Sequence, residues 1–161
     1  KFDWTEQEIG YSLAFVGILV SLVQGGLIRW FIPKYGQAKS IFYGIIFYAV
    51  GLFCFAFATN SWMMYAFLIP YCLGGLCGPA LQGVISNQIP ENEQGEIQGL
   101  NTSLMSISAI ISPLVMTNLF YQFSKSNATI YFPGISFFIS GILSIIAAII
   151  IYFSLKKIKL D

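Results

Sequence analysis

The segment SIFYGIIFYAVGLFCFAFATNSWMMYAFLIPYCLGGLCGPALQGVISNQIP, residues 40–90, contains no Asp, Glu, Lys or Arg. A helix that crosses the hydrocarbon core of a bilayer needs about 20 apolar residues, because each residue adds ~1.5 Å along its axis. The segment is therefore long enough for two membrane-spanning helices. Its polar interruption, Ala58-Thr59-Asn60-Ser61, predicts the turn between them.

The composition of the whole chain is typical of a membrane protein. Of its 161 residues, 57% are apolar and only 9% are charged, whereas a soluble domain has about 25% charged residues. The net charge of +1 provides no basic footprint for nucleic acid. The sequence contains no histidine, which excludes Ser-His hydrolases and histidine-based metal sites. We therefore predict neither an enzyme nor a site for a metal or other cofactor.

Three further segments without charge complete the count of spans, at residues 9–28, 97–124 and 126–155. The alternating pattern of a β-barrel is absent, so we predict an all-α, polytopic transmembrane helical bundle. Residues 1–161 are predicted to form a single membrane domain. Its five spans are expected at about residues 7–30, 40–58, 62–88, 94–122 and 132–155.

Local signals indicate where several of these helices begin and end. Thr5 and Glu8 have the spacing of a capping box, which starts a helix. Pro33 and Gly36 predict the end of span 1 and a loop over residues 31–39, and Pro133-Gly134 predicts the start of span 5.

The distribution of Lys and Arg predicts the orientation in the membrane. Loops that remain in the cytoplasm are enriched in these residues. The basic side of the bundle would therefore be cytoplasmic, with the C-terminus and the loops 31–39 and 89–96. That side holds Arg29, Lys34, Lys39, Lys156, Lys157 and Lys159, against Lys1 and Lys125 on the other.

A family resemblance lies between residues 74 and 121, which read GGLCGPALQGVISNQIPENEQGEIQGLNTSLMSISAIISPLVMTNLFY. Its elements include Pro79-Ala80-Leu81-Gln82, Gln94-Gly95 and Gln98-Gly99. Together with residues 9–13 and 26–39, the segment resembles the carboxyl-terminal half of tetracycline-resistance efflux proteins of the major facilitator superfamily. The resemblance implies the last five helices of a twelve-helix carrier. We therefore expect a longer protein, whose first seven helices lie outside this chain.

The loop after span 1 resembles the cytoplasmic signature of the superfamily only in part. Lys34, Gly36 and Lys39 match the signature. Arg29 stands where the signature has its first glycine, and Pro33 stands where it has an acidic residue. The resemblance thus implies a cytoplasmic-loop motif at Lys34, Gly36 and Lys39 that has lost part of its pattern.

The resemblance also implies a function and a location. It implies efflux of an amphiphilic, tetracycline-like drug across the inner membrane, in exchange for a proton, by alternating access. The partners would be a small-molecule substrate, the proton, the lipid bilayer and the amino-terminal half of the same carrier. No Asp, Glu, Lys or Arg lies well within a predicted span, so the coupling carboxylates are expected in that half. Two alternatives remain open, namely a carrier of another solute, such as a sugar or metabolite, and a membrane scaffold or enzyme subunit without transport activity.

Polar residues within the spans are candidates for the substrate cavity. In the superfamily, the helices corresponding to spans 1, 3 and 4 line the cavity, and those corresponding to spans 2 and 5 are peripheral. The candidate cavity residues Gln24, Gln82, Asn101 and Ser106 lie on spans 1, 3 and 4. The alternative for each is a hydrogen bond between helices, worth roughly 0.6 kcal/mol.

Small residues and prolines in spans 3 and 4 predict packing and hinge positions. Glycines four residues apart allow two helix backbones to approach closely, and we expect them to pack spans 3 and 4 tightly together. A proline within a helix removes a backbone donor and predicts a kink. The predicted positions are Gly74, Gly78, Pro79, Gly95, Gly99 and Pro113.

Overall fold

A computed structural model describes residues 4–125 and 130–158 of the chain. Within these residues, five helices are long and apolar enough to cross a membrane. The predicted all-α bundle of five spans is therefore confirmed. Span 1 is Glu6–Tyr35, span 2 is Gln37–Phe57, span 3 is Ser61–Asn87, span 4 is Glu91–Ser124 and span 5 is Ile135–Lys157.

Span 1 begins at the predicted capping box. The backbone N–H of Glu8 donates to Oγ1 of Thr5 over 3.3 Å, and the backbone N–H of Thr5 donates to Oε2 of Glu8 over 2.8 Å. The span is α-helical to Leu22, forms a widened π-helical turn at Val23–Leu27 and continues as Ile28–Tyr35. Gln24 therefore lies on a turn where the regular pattern of hydrogen bonds changes, a feature often found at functional sites.

The predicted loop over residues 31–39 is wrong, because helix occupies all of it except Gly36. Pro33 lies inside the last turns of span 1 and does not end the helix. The chain turns at Gly36 alone, where φ is +80° and the backbone N–H donates to the carbonyl oxygen of Ile32 over 2.9 Å. Lys34 and Lys39 are thus on two helix ends, on either side of a one-residue turn. A residue without Cβ permits this sharp reversal.

The end of the bundle around this turn is basic. Lys39 of span 2 and Lys156 of span 5 line the same groove, so the basic ends of these two helices are adjacent. Nζ of Lys34 lies 4.4 Å from the ring centroid of Trp30, a cation–π geometry. Lys1 and Lys159, on which the orientation prediction also rests, lie outside the described residues.

Span 2 is the centre of the described bundle. It packs against spans 3 and 5 and contains more of the buried side chains than any other span, among them Ile41 and Ala56. Glycines make this close packing possible. A Cβ built on Gly51 would lie 2.7 Å from the backbone of Tyr71. The backbones of spans 2 and 3 therefore touch where larger side chains would separate them.

Span 3 is irregular between its two prolines. It is α-helical over Ser61–Leu73 and Cys77–Asn87, and a 3₁₀ turn at Gly74–Leu76 joins the two parts. Pro70 lies within the first part and Pro79 within the first turn of the second. Pro79 lacks the N–H that would pair with the carbonyl oxygen of Gly75 in a regular α-helix, and two adjacent glycines have a weak helix preference, so both favour the tightened turn.

Span 4 contains no buried residue and packs chiefly against span 5. Its helix is continuous through Pro113. The prediction that glycines pack spans 3 and 4 together is wrong within the described residues. At Gly78, Gly95 and Gly99, nothing from a neighbouring element lies within 4 Å of the place where a Cβ would be. Small residues allow close approach, but a neighbouring helix must also lie opposite them.

Span 5 begins at Ile135, three residues later than predicted, because Pro133 and Gly134 form a turn before it. Gly134 is buried against the backbone of Ala56, and an added Cβ would overlap the carbonyl group of that residue. Oγ of Ser136 donates to the carbonyl oxygen of Met116 over 2.8 Å. The turn and this hydrogen bond hold span 5 against spans 2 and 4.

Candidate substrate-facing surface

The four candidate cavity residues lie on the open faces of spans 1, 3 and 4. Gln24 and Ser106 are exposed, whereas Gln82 and Asn101 are half-buried. Span 1 contacts span 3, and the principal contacts of span 4 are with span 5. The described residues therefore place Gln24 and Gln82 on neighbouring helices, and Asn101 and Ser106 on a separate one. They do not form one closed pocket.

The side-chain amides of Gln24, Gln82 and Asn101 form no hydrogen bond with any of the described residues. The alternative prediction, in which these residues join two helices, is therefore not observed within residues 4–125 and 130–158. An amide in an apolar environment is costly without a partner, by about 1–3 kcal/mol. These groups are accordingly free to bind water, a ligand or another polar group.

Hydroxyl groups on the same faces hydrogen-bond to their own helices. Ser106 donates to the carbonyl oxygen of Thr102 over 2.9 Å, and Ser103 donates to that of Gly99 over 2.8 Å. Ser21 of span 1 donates to Gly17 in the same way over 2.8 Å. Each hydroxyl proton is thus satisfied within its helix, and the oxygen can still accept a hydrogen bond. The result is a weakly polar surface without formal charge.

Hydrogen bonds between helices occur at residues other than the four candidates. The hydroxyl of Tyr65 on span 3 donates to the carbonyl oxygen of Glu8 on span 1 over 3.1 Å. Ser136 joins span 5 to span 4, as described above. Sequence reasoning did not select these residues. Serines recur every four residues on span 5, at Ser136, Ser140 and Ser144. This recurrence is the sequence signal that could have indicated a hydrogen bond between helices at Ser136.

A second candidate region lies on span 4 and begins at Pro113, about two helical turns after Ser106. Pro113, Leu114, Thr117, Asn118 and Tyr121 line an open groove of about 460 Å³. Oδ1 of Asn118 accepts a hydrogen bond from Nε2 of Gln122 over 2.7 Å. The groove combines an aromatic ring, an amide and a hydroxyl, and Nζ of Lys125 lies 4.2 Å from the ring centroid of Tyr121. Such a mixture of apolar surface and a few polar groups is typical of sites for small amphiphilic molecules.

The chain is similar to proteins that share its predicted family. The profile of the Major Facilitator Superfamily matches residues 1–160. Tetracycline resistance protein, class E, of Escherichia coli is 41% identical over 121 residues, which are 74% of this chain and 30% of that protein. The class H protein of Pasteurella multocida is 31% identical over 157 residues, which are 98% of this chain and 38% of that protein.

A more distant similarity extends to animal proteins. The human protein named Hippocampus abundant transcript-like protein 1 is 24% identical over 129 residues, which are 76% of this chain and 26% of that protein. No solved structure matches the chain. The chain spans less than two-fifths of the length of the curated relatives described here. Because the superfamily profile matches almost every residue, this multi-pass membrane chain belongs to the Major Facilitator Superfamily.

Proposed function

We propose that the chain is the carboxyl-terminal five-helix part of a carrier that exports an amphiphilic, tetracycline-like drug. The observation that supports this most is its similarity to tetracycline resistance proteins of several classes. The open faces of spans 1, 3 and 4 are compatible with it, because their unpaired amides, and hydroxyl oxygens that can still accept a hydrogen bond, can bind a substrate that has both rings and polar groups.

The mechanism we propose is alternating access coupled to the entry of a proton. In this scheme residues 1–161 form one membrane domain, which packs through its open faces against the amino-terminal half of the same carrier. Burial of Gln24, Gln82 and Asn101 against that half and the substrate would give their amides the partners that the described residues do not supply. The coupling carboxylates would belong to the amino-terminal half. The basic end, with Lys34 and Lys39, would face the cytoplasm of a cell whose inner membrane holds the carrier.

The test uses the full-length gene in a drug-susceptible Escherichia coli strain. Expression is expected to raise the inhibitory concentration of tetracycline, and everted membrane vesicles are expected to accumulate the drug only while a proton gradient is present. An uncoupler that collapses the gradient is the control for coupling. Unchanged inhibitory concentrations for a panel of amphiphilic drugs, in cells that contain the protein in their membrane, would contradict drug efflux.

Transport of another solute is the second candidate, because the superfamily profile that matches residues 1–160 does not specify a substrate. This candidate predicts that expression changes the uptake or release of a labelled sugar or metabolite while drug tolerance stays the same. A screen of labelled solutes in the same strain distinguishes the two. If neither drugs nor solutes move, a scaffold without transport activity becomes the better explanation.

A further inference from the structure

An apolar groove runs along the outer side of spans 2 and 5. Its deep part has a volume of about 540 Å³ and reaches from Phe42 to Ala49 on span 2 and from Ile145 to Phe153 on span 5. Only apolar surface lines this part. Ile145 and Ile149 are 44% and 52% exposed, so the groove is open along its length to whatever surrounds the bundle.

The groove ends at the basic end of the bundle. A second part, of about 320 Å³, shares Phe42 and Tyr152 with the deep part and is also lined by Lys39 and Lys156. The ring centroids of Phe42 and Tyr152 are 6.1 Å apart where the two parts meet. The two parts therefore adjoin at this ring pair, with purely apolar surface on one side and two cationic side chains on the other.

The length of the groove matches one leaflet of a bilayer. Ala49 and Lys39 are ten residues apart on span 2, and Ile145 and Lys156 are eleven apart on span 5. At ~1.5 Å per residue these distances are about 15 Å and 17 Å along the helix axes. The hydrocarbon core of a bilayer is about 30 Å thick, so one leaflet contributes roughly 15 Å. The lysines thus lie at headgroup depth when the floor lies among acyl chains.

Neither Lys39 nor Lys156 forms an ion pair with an acidic side chain within residues 4–125 and 130–158. Their stems can lie along the apolar groove while their ammonium groups extend to the membrane surface. Tyr43 and Tyr152 lie one turn, about 6 Å, deeper on the same two helices, near the boundary between acyl chains and water that aromatic residues prefer. The mouth of the groove therefore offers positive charge and hydrogen-bond donors at the depth of a lipid phosphate.

We propose that this groove binds an anionic phospholipid from the leaflet at the basic end, with an acyl chain between spans 2 and 5 and the phosphate between Lys39 and Lys156. The rest of the carrier is a poorer occupant. A protein partner is needed at the unpaired amides of spans 1, 3 and 4, whereas an apolar floor such as that of Ala49 and Ile145 is well solvated by lipid. The proposal does not depend on which substrate the carrier moves.

The test uses the purified full-length protein in a mild detergent. Phosphatidylglycerol and phosphatidylcholine with identical acyl chains are added in turn, and bound lipids are counted by native mass spectrometry. Wild type is expected to retain phosphatidylglycerol roughly tenfold better, since each lysine near an anionic headgroup strengthens binding. The double variant Lys39→Ala/Lys156→Ala is expected to lose the preference. Glycerol phosphate, which lacks acyl chains, is expected not to compete.

The matched control is the double variant Lys34→Ala/Lys157→Ala. It removes the same charge from the same end, and neither residue lines the groove. It is expected to keep the preference for phosphatidylglycerol. Equal loss of preference in both double variants would show a diffuse charge effect and overturn the proposal. No preference in wild type, full competition by glycerol phosphate, or a dimer that persists as lipid is added would each overturn it as well.

Discussion

Gly74 of span 3 lies so close to Tyr48 of span 2 that a Cβ built on Gly74 would be 2.6 Å from the Cβ of Tyr48. Two carbon atoms in contact are normally about 3.5–4.0 Å apart. The same tyrosine places its hydroxyl 3.4 Å from that of Tyr71, with ring centroids 4.9 Å apart. Spans 2 and 3 therefore fit together through a glycine that accepts the base of an aromatic side chain.

We expect Gly74→Ala to destabilise the protein by about 1–3 kcal/mol, because the added methyl group overfills a tight contact. Gly78→Ala, four residues away, is the matched control, since no neighbouring element of the described part of the chain lies within 4 Å of its Cβ position. Thermal unfolding of the purified full-length protein in detergent measures the difference. A similar unfolding temperature for both variants would show that the contact between spans 2 and 3 is looser than described.

The turn at Gly36 gives a second prediction. Its φ of +80° lies in a region that side chains with a Cβ rarely adopt, at a cost of about 1–3 kcal/mol. Gly36→Ala is therefore expected to lower the unfolding temperature. Gly25→Ala is the control, because Gly25 is helical and no other element approaches it. Should Gly36→Ala unfold at the wild-type temperature, the one-residue turn between spans 1 and 2 would be wrong.

A third prediction concerns the hydrogen bond from Ser136 to the carbonyl oxygen of Met116. Removal of a hydrogen bond between membrane helices costs roughly 0.6 kcal/mol, so Ser136→Ala is expected to be slightly destabilising. Ser144→Ala removes a hydroxyl that bonds only within span 5, to Ser140, and is expected to be neutral. Unfolding in mixed detergent micelles resolves the two, and a neutral Ser136→Ala would contradict the contact.

The candidate cavity residues give a functional prediction. If Gln82 and Asn101 bind the transported drug, Gln82→Leu and Asn101→Leu are each expected to weaken its apparent affinity by about tenfold, equivalent to 1.4 kcal/mol. The reason is the loss of a hydrogen bond that an apolar side chain cannot replace. Ser144→Ala is the control, because its hydroxyl bonds to Ser140 within span 5 and not on the candidate faces of spans 1, 3 and 4. The measurement is concentration-dependent drug uptake by everted vesicles, corrected for the amount of protein in the membrane. Wild-type affinity in both leucine variants would remove these residues from the candidate site.

Much of the fold could be predicted because hydropathy and length act locally. The five spans, the capping box at Thr5 and Glu8, and the turn at Ala58-Thr59-Asn60-Ser61 depend on residues close together in the chain. The prediction of a loop over residues 31–39 was wrong, and the reason is also local. Pro33 is compatible with a helix, and Gly36 makes the turn without help from its neighbours.

The candidate site was less predictable than the fold. A glycine pair such as Gly95 and Gly99 has the same sequence pattern whether or not a helix lies opposite it, and the described residues place none there. We expected the side chain of Gln82 either to line a cavity or to form a hydrogen bond between two helices. The sequence around Gln82 does not distinguish these two roles. The choice depends on which residues lie nearby in space, and those are far away in the chain.

The sequence by itself determined that the chain crosses a membrane five times, where most of its helices begin and end, and which side chains in the spans are polar. These properties depend on free energies of transfer and on local backbone preferences, which each segment carries alone. Only the tertiary structure decided that Gly74 packs on Tyr48 while no residue of 4–125 or 130–158 packs on Gly78, and that Lys39 and Lys156 meet at one groove. The physical reason is that van der Waals packing acts over a few ångströms, so it depends on the positions of whole helices relative to one another.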